Sequence, residues 1–276
     1  MFKIRFISAI IGFLLLLLVI WMGQIALGLI IALLSIIGLS EFYNAVSKVG
    51  FKPLRPVGYL ACLPLIYMGF TGLLDTGGVI NPFKLFNLLS LGIFAAILVM
   101  FTLAVLSNNW FNIVDLSLTI MGIAYVPLLF SFIILTRNFE NGSYYIWLIF
   151  IGAWATDTFA YLFGRAIGKK KFLAISPNKT IEGAIGGIAG CVVLLLLYGT
   201  YLNYMSINIR IYHFLILGLL CGAISQLGDL AASLVKRYTG IKDYGHVMPG
   251  HGGVLDRFDS ILFTAPVVYF YIVFII

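Results

Sequence analysis

The chain carries little charge for its length. Only 10% of its 276 residues are Asp, Glu, Lys or Arg, whereas 62% are hydrophobic and the mean hydropathy is +1.10. A soluble domain has about 25% charged residues. One aqueous core cannot hide so much apolar surface, so the composition excludes a soluble globular protein and predicts one whose solvent is largely lipid.

Cysteine and histidine are also scarce, with three of each. The cysteines, Cys62, Cys191 and Cys221, lie in apolar stretches without metal-ligand spacing, which indicates small buried side chains rather than a zinc site. The net charge of +7 does not indicate nucleic acid, because the usual excess of Lys and Arg on cytoplasmic segments explains it. We therefore expect no nucleic-acid partner.

The predicted fold class is all-α, a polytopic integral membrane protein of about nine transmembrane helices, since a bilayer core takes about 20 apolar residues per helix. The N-terminal stretch resembles a signal peptide, but its length and the lack of a clear cleavage site favour an uncleaved span. We divide the chain into an N-terminal region of helices, 1–140, and a C-terminal region with two long polar loops, 141–276. The predicted spans are 5–22, 24–41, 56–74, 86–106, 113–135, 145–164, 183–203, 211–235 and 260–276.

The distribution of positive charge predicts a cytoplasmic N-terminus. With nine spans in that orientation, 14 of the 17 lysines and arginines fall in cytoplasmic segments, as the positive-inside rule requires. The two long polar loops, Arg165–Glu182 and Lys236–Asp259, then face the cytoplasm together. Within the seventh span, Gly183 and Gly187, and likewise Gly186 and Gly190, stand four residues apart, which predicts close helix packing.

The ten acidic residues fall into two groups. Glu41, Asp75, Asp115 and Glu140 lie at predicted span ends or in loops, and we interpret them as solvated interfacial charges. Lipid makes the others costly unless each has a partner or a function. These six, all in the C-terminal half, are Asp157, Glu182, Asp229, Asp243, Asp256 and Asp259.

Asp157 and Asp229 fall inside predicted spans, where they form either structural ion pairs or a metal or proton site facing the bundle interior. On a helix, Asp229 shares one stripe with Ser233, Lys236 and Arg237. An acid, a hydroxyl and two cations at the end of a span suit a metal-bound polyphosphate. Oxygen ligands without cysteine favour Mg²⁺ over zinc.

The segment "MPGHGGVLDRFDS", 248–260, concentrates polar groups close to the last span. Its glycines allow backbone amides to approach a phosphate, and His251 could bind phosphate or orient the aspartates. Asp256 and Asp259 begin the last helix, where capping alone explains one acid.

In the other loop, "SPNKTIEG" offers Ser176, Lys179, Thr180 and Glu182. Alternatively, Thr180 and Glu182 cap the start of a helix, and Lys179 is a solvated lysine without a role in a site.

The stretch 233–260 resembles the signature of phosphatidate cytidylyltransferases, the CDP-diacylglycerol synthase family: S-x-x-K-R-x-x-x-x-K-D-x-x-x-x-x-P-G-H-G-G-x-x-D-R-x-D. The blocks "WATDTFAYLFGR", "SPNKTIEG" and "SQLGDL" resemble further family motifs, so the likeness covers residues 150–260. Asn178 departs from the pattern, because family members often have a second lysine there. The matching positions are Ser233, Lys236, Arg237, Lys242, Asp243, Pro249, Gly250, His251, Gly252, Gly253, Asp256, Arg257 and Asp259.

The resemblance implies that CTP and phosphatidic acid react to give CDP-diacylglycerol and pyrophosphate, with Mg²⁺ required and a second cation such as K⁺ as a further option. The implied location is the cell's inner (plasma) membrane, with the site facing the cytoplasm. The resemblance makes 1–140 the scaffold and 141–276 the catalytic region. The implied catalytic residues are Asp229, Asp256, Lys236, Arg237 and His251. The implied substrate-binding residues are Ser176, Lys179, Thr180, Glu182, Ser233, Lys242, Gly252, Gly253 and Arg257. The implied metal ligands are Asp229 and Asp256, completed by Asp259, Asp243 or Asp157.

The expected partners are CTP, phosphatidic acid and the lipid bilayer, and a homodimer is left open. A secondary transporter is a rival, but it predicts paired halves, and the sequence has no internal repeat. A CTP-dependent lipid or polyprenol kinase would share nucleotide-binding loops but transfer the terminal phosphoryl group. A CDP-alcohol phosphotransferase needs the motif D-G-x-x-A-R, which the sequence lacks.

Overall fold

A computed structural model describes residues 2–74, 82–106, 112–173, 175–247 and 252–276. Helices dominate these ranges, as predicted. Between α6 and α7 the chain forms one π-helical turn, Ala124–Leu128, around Pro127. The wider turn there suits a residue that lacks a backbone donor. The helices are α1 Phe2–Met22, α2 Gln24–Ser47, α3 Arg55–Leu60, α4 Leu63–Leu74, α5 Pro82–Leu106, α6 Ile113–Ile123, α7 Leu129–Arg137, α8 Gly142–Ile167, α9 Ile181–Tyr204, α10 Ile211–Tyr238 and α11 Leu255–Ile275.

Six helical stretches of the described chain are long and apolar enough to cross a membrane: α2, the continuous Ile113–Arg137, and α8 to α11. This confirms a multi-pass, predominantly helical membrane protein. The predicted span 56–74 is two shorter helices, α3 and α4, on either side of Ala61 and Cys62. The total of nine spans and the orientation of the N-terminus stay predictions.

A small β-hairpin occupies part of the loop predicted at Arg165–Glu182. Strand β1, Lys171–Leu173, pairs antiparallel with β2, Ser176–Thr180, so that Lys171 lies opposite Thr180 and Leu173 opposite Ser176. The all-α prediction did not include this sheet. Strands this short carry little β-propensity of their own, and their pairing depends on the surrounding structure.

Contacts between residues divide the chain into two compact units. Unit 1 comprises Met1–Glu140 and Thr239–Asp256, and unit 2 comprises Asn141–Tyr238 and Arg257–Ile276. Within unit 1, α2 is the central helix and contacts α1, α3, α4, α6 and α7. Its Leu39, Phe42 and Tyr43 side chains are fully buried, and the Tyr43 hydroxyl donates to the backbone oxygen of Thr119 at 3.0 Å. This packing makes α2 a fixed support for the polar groups near its end.

Asp115 is not a solvated interfacial charge, so that prediction was wrong. The residue is only 3% exposed. It forms a capping box with Asn112: each side chain accepts a hydrogen bond from the other residue's backbone N–H, at 2.8 and 3.1 Å. Its second carboxylate oxygen accepts from the backbone N–H of Lys52 at 2.7 Å. The buried charge therefore starts α6 and ties a distant loop to it.

Close packing of α8 against α9 confirms the role predicted for the glycines. A Cβ added to Gly190 would lie 2.1 Å from the ring of Phe159, and one added to Gly186 would lie 2.4 Å from the ring of Phe163. Both rings therefore rest on the glycine face of α9. This contact matters for function because α8 and the start of α9 both carry candidate site residues.

Replacing Gly190 with valine should lower the melting temperature of the detergent-solubilised protein by several degrees. Inserting atoms into a packed interior costs about 1–3 kcal/mol, and the ring of Phe159 leaves no space for a Cβ. Ala189→Val is the matched control, because Ala189 is exposed on the same helix. Equal melting temperatures for the two variants would contradict the packing described here.

Candidate active site

Three aspartates of unit 2 lie near one another although they belong to three different helices. Asp157 is on α8, Asp229 on α10 and Asp259 on α11. They are close enough that the charge of Asp229 repels those of both Asp157 and Asp259. A Cβ on Gly228 would lie 2.5 Å from the backbone oxygen of Asp259, so α10 and α11 touch directly beside Asp229. The fold thus concentrates negative charge where lipid alone would oppose it.

Ser260 connects two of these carboxylates. Its hydroxyl donates to Oδ1 of Asp157 at 3.4 Å, and its backbone N–H donates to Oδ1 of Asp259 at 2.7 Å. Asp259 is only 8% exposed, whereas Asp157 is exposed. Together these carboxylates offer hard oxygen ligands that differ in their access to solvent.

Lys179, on β2, forms an ion pair with Asp229. About a quarter of each side chain is exposed, 26% for the lysine and 25% for the aspartate. Lys179 and Arg257 also attract the charge of Asp157, while Lys236 attracts that of Asp259. The ion pair predicted as one alternative for Asp229 is therefore present, and it lies within a larger cluster of alternating charges.

Two motif residues close to Lys179, Thr180 and Glu182, make hydrogen bonds to the backbone around the hairpin. The Thr180 side chain accepts from the backbone N–H of Gly183 at 3.1 Å and caps α9. The Glu182 carboxylate accepts from the backbone N–H groups of Lys169 at 3.1 Å and Lys170 at 3.3 Å. These are the contacts expected of a helix start. Direct substrate binding by Ser176, Thr180 and Glu182 stays a prediction.

The polar stripe predicted on α10 lies on one continuous helix. Asp229, Ser233, Lys236 and Arg237 all precede its end at Tyr238. Arg237 is exposed, and its Nε donates to the backbone oxygen of Ile175 in the hairpin at 3.4 Å. The stripe and the hairpin therefore meet at Arg237.

In unit 1, Asp256 accepts hydrogen bonds from two backbone N–H groups that precede α11. Its Oδ2 accepts from the backbone N–H of Tyr244 at 2.8 Å and from that of Gly253 at 3.0 Å. In the same segment Lys242 and Asp243 are exposed, and Gly252 has a positive φ of 87°, which favours glycine. Asp256 therefore has a definite structural role whether or not it also binds a cation.

Glu41 was wrongly interpreted as a solvated interfacial charge. It lies near the end of α2, is 5% exposed, and accepts from the backbone N–H groups of Val254 and Leu255, both at 2.9 Å. Sequence reasoning missed this residue because its partners are more than 200 positions away. No local pattern marks such a contact.

Four residues named in the sequence analysis are not described by the structure, and the predicted metal site is only partly formed by side chains. His251, Pro249, Gly250 and Asp75 lie outside the described residues. Within the ranges given above, no three His, Cys, Asp or Glu side chains form a ready metal cage. Mg²⁺ does not need one, because it usually keeps several waters and binds one or two carboxylates together with substrate phosphates. The oxygen-only donors of Asp157, Asp229 and Asp259 fit such a partial site.

The sequence profile of the Cytidylyltransferase family matches residues 3–275. The chain belongs to this family. Among curated proteins, the phosphatidate cytidylyltransferases of Staphylococcus saprophyticus subsp. saprophyticus and Staphylococcus haemolyticus are each 36% identical over 265 residues, 96% of both chains. That of Staphylococcus aureus strain COL is 35% identical over the same share. Membership in the cytidylyltransferase family confirms the resemblance seen at residues 233–260 and makes the chain an enzyme.

Proposed function

We propose that this cytidylyltransferase moves the cytidylyl group of CTP to phosphatidic acid, forming CDP-diacylglycerol and pyrophosphate for phospholipid biosynthesis. The names of the Staphylococcus relatives, which align with 96% of this chain, support the choice of substrates. The observation that carries the proposal is the cluster in unit 2, where Lys179 pairs with Asp229 beside Asp157 and Asp259. Two polyanionic reactants require such a cluster of cations and oxygen ligands.

In the proposed reaction, a phosphate oxygen of phosphatidic acid attacks the α-phosphorus of CTP. A new phosphorus–oxygen bond forms as the bond between the α-phosphorus and the oxygen that bridges it to the β-phosphorus breaks. Pyrophosphate leaves with that electron pair. The attacking phosphate is already ionised at neutral pH, so we assign no general base. The protein's part is to hold the reactants in line and neutralise their charge.

Cations of unit 2 supply that neutralisation. Lys179, Lys236 and Arg257 already interact with the aspartate cluster, and Arg237 contacts the hairpin. Phosphate groups offer the lysines a stronger, multiply charged acceptor than a single carboxylate does. We assign these side chains to the triphosphate and to the lipid phosphate, with Lys242 and Ser233 as further candidates.

We assign Asp157, Asp229 and Asp259 to a divalent cation, and the family resemblance adds Asp256 and Asp243. When bound, Mg²⁺ would neutralise charge on the phosphates of CTP and so favour the departure of pyrophosphate. A second cation such as K⁺ stays a prediction. The carboxylates bind and orient, and Ser260 holds two of them in place through its hydroxyl and backbone N–H.

We place the reaction at the cytoplasmic surface of the plasma membrane. The positive-inside rule supports this side, because the charge-rich hairpin and the basic end of α10 belong on the cytoplasmic face. The lipid substrate would reach the site from the bilayer, with its phosphate level with the interface. A homodimer stays a prediction.

A direct test of the proposed reaction is pyrophosphate release by the purified protein in detergent. We expect release to require CTP, phosphatidic acid and Mg²⁺ together, to stop when EDTA removes the metal, and to resume when Mg²⁺ is restored. Pyrophosphate release at the same rate without phosphatidic acid would contradict the proposed acceptor. Activity that persists in EDTA would contradict the role of the cation.

Replacing Lys179 with methionine should raise the KM for CTP about 10-fold, which corresponds to about 1.4 kcal/mol of binding. The methionine keeps most of the side-chain length but removes the charge beside Asp229. Lys171→Met is the matched control, because Lys171 is an exposed lysine on the other strand of the same hairpin. Unchanged KM and kcat in the Lys179 variant would remove this residue from the site.

A further inference from the structure

Glu41 is a buried carboxylate whose two oxygens are both used by the backbone of a distant segment. Oε1 accepts from the N–H of Val254 and Oε2 from the N–H of Leu255, each at 2.9 Å. All three residues belong to unit 1. Burying a carboxylate is costly unless hydrogen bonds compensate for the lost water, so this arrangement points to a specific role.

The start of α11 suits the charge of Glu41. The first N–H groups of a helix have no partner within it, and the helix dipole favours negative charge at this end. Helix starts are usually capped by a neighbouring residue, whereas here the cap comes from the well-packed helix α2. Glu41 therefore ties Val254 and Leu255, where α11 begins, to α2.

Two glycines make room for this carboxylate. A Cβ added to Gly245 or to Gly253 would lie 2.4 Å from Oε1 of Glu41. Any side chain at either position would push the carboxylate away from its amide partners. Gly245 and Gly253 therefore both border the carboxylate of Glu41.

Glu41 and Asp256 together fix three successive backbone N–H groups. Oδ2 of Asp256 holds the N–H of Gly253, and Glu41 holds those of Val254 and Leu255. The same oxygen of Asp256 also accepts from Tyr244. The orientation of Asp256 therefore depends on a backbone segment that Glu41 anchors.

We propose that Glu41 is a positioning residue for cytidylyl transfer: it anchors the backbone of Val254 and Leu255 to α2 and so holds Asp256 in its working orientation. The inference rests on the proposed function and adds a residue that the family signature at 233–260 does not contain. Glu41 acts through this segment and does not itself contact the reacting groups.

Glu41→Gln is the sharpest variant, because it keeps the size of the side chain and replaces one acceptor by an NH₂ group. That group would face a backbone N–H, so one hydrogen bond becomes a contact between two donors. We expect kcat to fall about 100-fold, as a small misplacement of a reacting group can cause. The KM for phosphatidic acid should stay unchanged, and the Mg²⁺ concentration for half-maximal rate should rise.

Glu41→Asp keeps both acceptors on a shorter side chain and should recover part of the lost rate. Glu140→Gln is the matched control, since Glu140 is an exposed acid of the same unit. If Glu41→Gln fails to fold, Gly245→Ala provides the same test, because a Cβ there would lie 2.4 Å from Oε1 of Glu41. It keeps the charge of Glu41 but displaces its carboxylate.

Hydrogen–deuterium exchange of residues 252–258, measured without substrate, provides a readout that does not depend on turnover. We expect exchange in Glu41→Gln to be about 10-fold faster, because local opening sets amide exchange. Unchanged exchange, or faster exchange with wild-type kcat and Mg²⁺ dependence, would overturn the positioning role. If the wild-type protein made no CDP-lipid, the proposed function itself would fail. Normal wild-type synthesis together with a fully active Glu41→Gln would overturn the Glu41 inference alone.

Discussion

Replacing Asp229 with asparagine is expected to lower kcat about 1000-fold, the scale of losing one preorganised electrostatic contact in an active site. Asparagine keeps the shape of the side chain and removes its charge. It therefore weakens cation binding and leaves Lys179 without the carboxylate it pairs with. Membrane insertion and melting temperature in detergent should change little, because the lost ion pair with Lys179 is offset by relief of the repulsion between Asp229 and the other two aspartates. Steady-state turnover with CTP and phosphatidic acid measures the effect.

The double variant Asp229→Asn/Lys179→Met separates a site from a structural ion pair. If Asp229 served only to neutralise Lys179, removing both charges should restore kcat and leave only the higher KM expected of Lys179→Met, because no unpaired charge remains. If Asp229 binds the cation, the double variant should stay as inactive as Asp229→Asn. Recovery of activity in the double variant would contradict the metal assignment.

Replacing Asp256 with alanine and with asparagine should distinguish its two roles. Alanine removes the oxygen that accepts from Tyr244 and Gly253, so the segment should loosen and activity should fall about 1000-fold. Asparagine keeps one acceptor oxygen that can hold both backbone N–H groups. We therefore expect Asp256→Asn to keep the amides of residues 252–258 protected from exchange but to lose the same activity.

The result for Asp256→Asn decides between the interpretations of this residue. Near-normal turnover in the asparagine variant would show that the aspartate acts only as a structural acceptor, and would contradict its assignment to the cation. The exposed Glu140→Gln serves again as control. Its kcat should equal that of the unmodified chain.

Much of the fold could be predicted because the constraints are local. Apolar runs long enough for a bilayer predicted α2 and α8 to α11, and the spacing of Gly186 and Gly190 predicted close helix packing, although not that α8 is the partner. The hairpin at 171–180 was missed because its strands have three and five residues and little intrinsic preference for β-structure. Asp115 could have been recognised, since Asn112 stands three residues before it in a capping-box pattern.

Site residues could be predicted only where they are grouped in a short stretch of sequence that also matches a family motif. The polar stripe on α10 and the motif around Lys179 identified candidates, but the contact of Lys179 with Asp229 required the fold. Glu41 shows the limit most clearly. An acid near the end of a span predicts an interfacial charge, and only the packing of α2 in unit 1 brings it to Val254 and Leu255.

Membership in the Cytidylyltransferase family removes the transporter from the alternatives considered. A CTP-dependent lipid kinase and the proposed enzyme differ in which phosphorus atom of CTP the lipid attacks. A kinase would transfer the terminal phosphoryl group and release CDP. The proposed enzyme transfers the α-phosphorus with its nucleoside and releases pyrophosphate.

The most direct test is to follow the label from CTP into lipid, with the radioactive phosphorus placed either at the α- or at the γ-position. The purified protein, phosphatidic acid and Mg²⁺ should transfer the α-label to an organic-soluble CDP-lipid and leave the γ-label in water-soluble pyrophosphate. Asp229→Asn should transfer neither label. Transfer of the γ-label into lipid, or no transfer of the α-label by the unmodified chain, would contradict the proposed cytidylyl transfer.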